Sequence, residues 1–297
     1  MLIMQNLKFW CFLYVVTVAG TNLCFSDGIY EGFDFSITSG DLIGSSDATR
    51  AGQTSAGWHS TWYAASGKSL ASQDDIAIDG LLSAGGSADI RGERKSNSLG
   101  KGILLRQIDQ GYVGDLYGSF RFRSGKLLRD SVVGLLLSLP SSELPTPRTA
   151  TFAFCPKRWG GEFGMLGAGE GKVVKVESGV ACKQDETYLV VWKLDNLPEP
   201  GKRRKIGLHM WVLNAAQAAH FSTEGFDEAV LTAAELGAEP GQVCQSAHRI
   251  IRDSKRGVFR GMLVSCFSTG LPRVSFDEIK ISPDGFSAVV GASAAAH

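Results

Sequence analysis

Apolar residues alternate most regularly in the stretch Thr187–Asn214. In its first part, TYLVVWKL, both faces of an extended segment carry apolar side chains, and the last part, KIGLHMWVLN, repeats the pattern. The segment between them contains Pro and Gly and ends in the basic run Lys202–Lys205. Strands that are apolar on both faces and rich in Val and aromatics are typical of a sheet covered on both sides. The pattern therefore predicts two antiparallel core strands joined by an exposed connection.

Short apolar segments recur along the rest of the chain, separated by Gly, Asp, Ser or Pro. In one of them Phe120 and Phe122 alternate with Arg121 and Arg123, which predicts a strand with one wet face. The predicted strands lie at about 29–35, 57–63, 69–71, 76–78, 103–108, 117–123, 132–139, 149–154, 173–176, 247–251, 257–267 and 273–281. Residues 226–237 are the one helix-competent piece. The predicted fold is all-β: a two-sheet antiparallel β-sandwich, or jelly roll, with at most one or two short helices.

The N-terminus has the pattern of a secretory signal peptide. Lys8 precedes the apolar run Phe9–Phe25, and Cys24-Phe25-Ser26 places small residues at the −3 and −1 positions before Asp27. An uncleaved membrane anchor is the alternative, because the run is near the lower limit for spanning a bilayer. We expect cleavage, with the signal peptide over 1–26. The mature protein would then be secreted, periplasmic or on the cell surface, without a membrane attachment.

Composition favours one globular domain after that segment. No stretch resembles an interdomain linker, and the 36 glycines are scattered as expected for many short strands and turns. We predict a single sandwich over 27–285 and a disordered tail over 286–297, where small residues dominate. The 30 basic and 30 acidic residues cancel, so the charge indicates no nucleic-acid partner.

Signal cleavage would leave four cysteines, an even number: Cys155, Cys182, Cys244 and Cys266. Four cysteines allow three pairings, and the sequence does not choose among them. The preferred pairs are the neighbours in sequence, Cys155–Cys182 and Cys244–Cys266. Each would close a loop of roughly 20–30 residues and stabilise the fold by about 3 kcal/mol. None of the four forms the C-x-x-C pair typical of a zinc site.

Three segments of the sequence belong together: RVSFDEIKI at Arg273–Ile281, Glu31–Phe35 followed by Gly57-Trp58 and Trp62, and the central hairpin. The first resembles the closing strand, and the second the opening, of the concanavalin A-like, laminin-G-like jelly rolls of secreted bacterial proteins. The central hairpin is also similar, although the family's Asn-Pro after it is Asn214-Ala215 here. The resemblance implies a two-sheet sandwich that is often associated with carbohydrate binding, in many members without an established activity.

The resemblance also implies a metal hypothesis. In such jelly rolls the first and last strands often run side by side, which would bring Glu31 or Asp34 near Asp277. Carboxylate oxygens are the ligands that calcium needs. The prediction is a structural calcium ion held by these residues, and the alternative is ordinary surface carboxylates beside lysines.

The known catalytic patterns of this fold are not found in the sequence. Glucanases place carboxylates on one strand as E-x-D-x-(x)-E, and neither Glu224–Glu228 nor Asp277-Glu278 has that spacing. The G-x-S-x-G of serine hydrolases is missing as well. His209 lies on a predicted core strand, where it is either a satisfied core residue or part of a cleft.

Aromatic rings supply the binding hypothesis, because a flat ring can cover the apolar face of a sugar. Trp159, in the basic segment KRWGG, is the first candidate for a ligand contact. Trp58 and Trp62 share a face of one predicted strand and could bind sugar or pack beneath the loops. The basic run Lys202–Lys205 is either a solvated turn or a contact for polyanionic glycans.

Three functions remain open. The first is a secreted, non-catalytic sandwich that binds a polysaccharide or glycoprotein or serves as a surface or matrix component. The second is a carbohydrate-active enzyme of the same fold, and the third is a purely structural interaction module. Exposed rings on a shallow sheet face would favour binding, paired carboxylates in a cleft would favour the enzyme, and an apolar-filled face would favour the structural role.

Overall fold

The computed structural model describes residues 28–33, 58, 62–66, 68–72, 75–81, 83, 86–92, 94–95, 98–108, 111–125, 132–138, 152–156, 162–169, 172–199, 202–224, 243–252, 263–269 and 273–290. The strands are β1 (Ile29–Glu31), β2 (Tyr63–Ser66), β3 (Lys68–Ser72), β4 (Ser87–Arg91), β5 (Arg94–Lys95), β6 (Ser98–Leu99), β7 (Lys101–Gln107), β8 (Gly114–Ser124), β9 (Val133–Ser138), β10 (Phe152–Pro156), β11 (Glu162–Gly169), β12 (Lys172–Ala181), β13 (Thr187–Leu197), β14 (Arg203–Asn214), β15 (Val243–Arg252), β16 (Leu263–Thr269) and β17 (Val274–Ser282). The helices are α1 (Ala215–Glu224) and α2 (Phe286–Val289).

These strands form two large antiparallel sheets, which confirms the predicted all-β sandwich. Sheet A has the order β15-β14-β13-β8-β17-β4-β3, and β1 also pairs with β17. Sheet B has the order β12-β11-β10-β9-β16-β7-β2, and β5 and β6 form a separate small ribbon. None of the helices in the described ranges is long and apolar enough to cross a bilayer.

The predicted hairpin is formed by β13 and β14, with register from Tyr188↔Asn214 to Asp195↔Gly207. Side chains of a strand alternate between faces, and both faces of this hairpin are buried. Val190 and Trp192 belong to the core between the sheets, whereas Val191 and Trp211 belong to a second apolar cluster on the opposite face. The prediction of two core strands covered on both sides is confirmed.

The main core fills the space between sheets A and B. Trp192 of β13 stacks on Phe154 of β10, with ring centroids 5.1 Å apart and planes at 15°. Phe122 of β8 meets Phe276 of β17 edge-on at 5.5 Å. Burying each such side chain contributes about 1.5–3 kcal/mol. Gly118 is required beneath the Trp192 ring, because a Cβ at that position would lie 2.0 Å from the indole.

Helix α1 directly follows the hairpin, at a position where the sequence pattern predicted no helix. Asn214 Oδ1 accepts a hydrogen bond from the Gln217 N–H at 2.9 Å, and Gln217 Oε1 accepts one from the Asn214 N–H at 3.0 Å. This reciprocal pair is a capping box and was the missed signal for the helix start. The predicted helix-competent piece 226–237 lies outside the described residues.

Two further predictions need correction. The sequence predicts a disordered tail over 286–297, but 286–289 form α2, and Phe286, Val289 and Val290 are buried. These apolar anchors outweigh the small residues around them. Residues 76–78 form no strand: the Ile76 N–H donates to the Asp277 carboxylate and its C=O accepts from Arg121, so side chains replace ladder partners.

Candidate ligand-binding site

The outer face of sheet A, on the side away from sheet B, is filled at its centre by apolar side chains. Phe286 of α2 lies edge-on against Trp211 at 5.2 Å and against Tyr117 at 4.8 Å. The buried members of this cluster are Ile78, Leu189, Val191, Trp211, Leu213, Ala218, Phe286, Val289 and Val290. Among the residues that the structure describes, this face offers polar side chains to a ligand beside the cluster and not at its centre.

A polar pocket of about 230 Å³ opens at one end of that face. It is lined by Arg123, Gly125, Asp185, Arg273 and Ser275. β8, β17 and the turn before β13 bring these residues together, since Arg123 pairs in register with Ser275 on one side and with Thr187 on the other. The alternation of Arg121 and Arg123 along β8 was the sequence signal for this site, but the predicted wet face is wrong at Arg121, which is 2% exposed because Ile76 and Asp75 cover it.

Arg273 is held in the wall of the pocket by a network that centres on the buried Asp89. Its Nε lies 2.6 Å from Asp89 Oδ2, and its Nη2 donates to Ser72 Oγ at 3.3 Å. Ser275 Oγ donates to the other Asp89 oxygen at 2.6 Å. Asp89 is buried, whereas the Arg273 side chain is 42% exposed, so the two charges compensate each other at the edge of the pocket. The lone pairs of Ser275 Oγ remain acceptors.

Arg123 is the contrasting cation. Its side chain is half-buried and makes no hydrogen bond or ion pair with any residue that the structure describes. Asp185 lies on the rim in a left-handed conformation, φ 59°, and its N–H donates to the Ser124 carbonyl at 2.8 Å. Its carboxylate accepts a hydrogen bond from Gln184 at 2.8 Å. Arg123 and Asp185 share the pocket without forming an ion pair.

A second polar region lies at the other end of the outer face, on the hairpin. His209 Nε2 lies 3.1 Å from Asp195 Oδ2, and Lys193 Nζ lies 3.4 Å from Asp115 Oδ2. Burial alone would raise the pKa of Asp195. Hydrogen bonds from His209 and from the Gly207 N–H outweigh that effect, so the Asp195 pKa lies below its ordinary value.

The proposed calcium ligands are not brought together. The first and last strands do pair, with Glu31 opposite Ile279. Glu31 faces sheet B, where it contacts Arg106 and Trp62, whereas Asp277 is on the outer face near Arg121. The two carboxyls thus lie on opposite faces of sheet A, which does not fit a shared calcium ion.

The individual predicted ligands do not fit a calcium ion either. Burial first, and then the charge of Glu278, raise the pKa of Asp277 well above its ordinary value, which disfavours the ionised form that a hard cation needs. No group of three candidate metal ligands occurs among the described residues. Asp34 lies outside the described ranges.

Two candidate sugar-binding rings are engaged in packing. Trp62 is 1% exposed and its Nε1 donates to Glu31 Oε2 at 2.8 Å. Trp58 is partly buried and donates to the Tyr30 carbonyl at 2.9 Å. The guanidinium of Arg106, which is ion-paired with Glu31, lies over Trp58 at 4.8 Å from the ring centroid. Trp159, the first candidate, lies outside the described residues, and a sugar contact there stays a prediction.

The preferred disulfide pairs are not formed, because Cys182 and Cys266 are free thiols. Cys266 lies on β16 in the core between the sheets, where burial raises its pKa. Cys182 Sγ lies 3.4 Å from Ser124 Oγ, and burial raises its pKa to about 11. The side chains of Cys155 and Cys244 are outside the described part.

No family model and no curated protein sequence matches the chain. Solved structures resemble it only distantly. A PL-14 alginate lyase from Aplysia kurodai is 11% identical, covering 69% of this chain and 85% of the lyase at a TM-score of 0.42. A protein of unknown function from Shewanella oneidensis is 12% identical, covering 86% and 85% at 0.44. An alginate lyase from Pseudomonas aeruginosa is 8% identical, covering 66% and 82% at 0.35.

With TM-scores below 0.5, these likenesses assign neither a family nor a function. The class is defined by the strand order and register of the chain itself. It is a two-sheet antiparallel jelly-roll sandwich that carries a polar pocket at one end of an outer sheet face.

Proposed function

We propose that this chain is a secreted, non-catalytic β-sandwich that binds a glycan through the pocket beside Arg123. The observation that carries the proposal is the lining of that pocket, which combines two guanidinium groups, a carboxylate and a hydroxyl around one open cavity. A few convergent polar groups in a concave site are what fixes the orientation of a small polar ligand. Sugar hydroxyls both donate and accept, and this lining offers partners for both.

The size of the pocket supports recognition of a single sugar unit. Its volume of about 230 Å³ is below the ~300–1,000 Å³ of pockets for drug-sized ligands. The cavity opens to solvent beside the covered centre of the sheet. We therefore expect one residue of a glycan to enter the pocket while its neighbours lie outside.

Gly125 allows the pocket to be filled without straining the backbone. A Cβ added there would lie 3.5 Å from the Arg273 carbonyl oxygen, an ordinary van der Waals contact. Gly125→Leu should therefore occupy the cavity, and Gly125→Ala is the matched control. We expect the wild-type mature chain to bind on an array of neutral and acidic polysaccharides. The Leu variant should lose at least tenfold in affinity, and the Ala variant less than threefold. Equal binding by all three, or no binding by the wild type, would refute the proposal.

One observation favours the enzyme alternative. His209 is a partly exposed imidazole held by a carboxylate, an arrangement that can move a proton. It is displaced from the pocket by about six residues along β13, or roughly 20 Å. The test is release of reducing ends from polysaccharides, measured with the wild type and with His209→Ala. Turnover that the variant lacks would make the protein an enzyme, and product release by neither supports the binding role.

The apolar cluster supports the structural alternative for the centre of the sheet face, because α2 closes it. Secretion is part of the proposal and rests on the N-terminal pattern alone. N-terminal sequencing of the protein exported by an expressing host should begin at Asp27. Retention of residues 1–26 in a membrane fraction would favour the anchor instead.

A further inference from the structure

The charge arrangement in the pocket suggests more than glycan binding. We propose that the sugar residue it takes is acidic, with its carboxylate or sulfate bound by Arg123. This inference rests on the proposed function, since it names the class of ligand for the same pocket.

The first argument is the difference between the two arginines. Arg273 is neutralised by Asp89 at 2.6 Å, so its role is to hold the wall. Arg123 lines the same cavity, is half-buried, and has no ion-pair partner among the described residues. A partly desolvated cation is stabilised when an anion binds it. The planar fork of arginine matches the two oxygens of a carboxylate or sulfate.

The second argument is the other side of the pocket. Asp185 stands on the rim, and it would repel a ligand with dense negative charge, such as a polyphosphate. It can accept hydrogen bonds from sugar hydroxyls, and Ser275 Oγ, whose proton goes to Asp89, can accept another. One anionic group next to several hydroxyls therefore fits the lining best. This is the chemistry of a uronic acid or of a sugar sulfate.

The third argument distinguishes binding in the pocket from the non-specific attraction of a polyanion to basic side chains on the surface. Lys202, in the connection before β14, and Arg204, near the start of β14, are both exposed. A polyanion held only by surface charge would use these side chains at least as readily as Arg123. The double variant Lys202→Gln/Arg204→Gln therefore removes more charge than Arg123→Gln while leaving the pocket intact.

The experiment is calorimetric titration of the mature chain with three probes. These are a galacturonic acid oligomer, its fully methyl-esterified form, and a carrageenan oligomer that carries sulfate but no carboxylate. We expect the acid or the sulfate to bind at least tenfold more tightly than the ester. Arg123→Gln should lose that advantage and Arg123→Lys should keep part of it, whereas the Lys202/Arg204 double variant should stay within twofold of wild type. Thermal melting of each variant checks that the fold is retained.

The outcomes distinguish a failure of the acidic specificity from a failure of the proposed glycan binding. If the ester binds as well as both anionic oligomers, and Gly125→Leu abolishes this binding, the pocket binds glycans and the acidic specificity is wrong. If the surface double variant loses binding and Arg123→Gln does not, the site is the surface around Lys202 and Arg204 and not the pocket. If none of the three oligomers binds and the polysaccharide array is silent as well, the proposed function fails. The preferred anionic probe tells carboxylate from sulfate.

Discussion

The ion pair between Glu31 and Arg106 provides a sharp test of how the two sheets are joined. Glu31 has no exposed surface, and it belongs to β1 of sheet A, whereas Arg106 belongs to β7 of sheet B. The carboxylate also accepts hydrogen bonds from Trp62 Nε1 at 2.8 Å and from the Phe33 N–H at 3.0 Å. The perturbation is Glu31→Gln, which keeps the shape of the side chain and removes its charge.

The expected loss in the free energy of unfolding follows from the groups that stay buried after Glu31 has lost its charge. The Arg106 side chain is 9% exposed, and burial lowers its pKa even with Glu31 beside it, so an uncompensated guanidinium is disfavoured there. Breaking such a pair by removing one partner costs about 3–5 kcal/mol. Within this range, about 1–3 kcal/mol comes from the N–H group of Trp62 or Phe33 that loses its acceptor. Domains are commonly stable by only about 5–15 kcal/mol, so the variant should be visibly weakened.

Urea unfolding, followed by tryptophan fluorescence, measures the free energy of unfolding of four proteins. They are the wild type, Glu31→Gln, Arg106→Met and the double variant. Glu199 is exposed, so Glu199→Gln is the control, and its free energy of unfolding should change by less than about 0.5 kcal/mol. The double variant should lose at least 2 kcal/mol less than the sum of the single losses, since it removes both charges. A loss below 1 kcal/mol for Glu31→Gln, or strictly additive losses, would refute the reasoning.

Three further predictions concern other parts of the fold. Gly118→Ala should lower the free energy of unfolding by at least about 1–3 kcal/mol, because the new methyl meets the Trp192 ring; unchanged urea unfolding would contradict this. The pKa of Asp195 is lowered in the folded state, so its stabilising contribution is present above the unfolded pKa of about 3.9 and is lost as pH falls through the folded value. The melting temperature of Asp195→Asn should accordingly depend less on pH below about 4 than that of wild type. The same pH dependence in both proteins would contradict the stabilisation assigned to the His209 contact. With its pKa raised to about 11, Cys182 should react with iodoacetamide at pH 8 roughly 100-fold more slowly than a free cysteine, which peptide mass mapping can check; labelling only after reduction would show a disulfide instead.

The sequence predicts the hairpin well because two-residue alternation depends on local side chains alone. Val190 and Trp192 are placed on one face by their spacing, whatever the rest of the chain does. The capping box of Asn214 and Gln217 was equally local, and its pattern could have revealed α1. Phe286, an aromatic residue in the expected tail, was the corresponding signal for α2.

The face on which a side chain lies is harder to predict once strands from distant parts of the chain meet. The pairing of the first and last strands was foreseen, but β17 has an irregularity between Asp277 and Lys280, where Glu278 takes φ 48°. A one-residue irregularity moves side chains to the other face. The location of Asp277 relative to Glu31 therefore depends on a detail that no alternation pattern contains.

The pocket could not be predicted for a related reason. Its residues come from the end of β8, from the turn at Asp185 and from the start of β17. The sequence pattern of β8 puts Arg121 and Arg123 on one face alike, whereas the structure buries Arg121 and leaves Arg123 half-buried. Only the register of β8 with β17 shows that Ser275 lies beside it and that Arg273 is already neutralised by Asp89.

The position of β17 has a consequence for the time during translation at which sheet A can form. This strand lies between β8 on one side and β1 and β4 on the other, although it is made long after all three. Until its residues emerge from the ribosome, the strands on both sides of the gap have unpaired backbone edges, which are templates for aggregation. Sheet A therefore cannot close during most of translation. The nascent chain is expected to depend on chaperones, or on slow folding after release, to protect a gap that only β17 can fill.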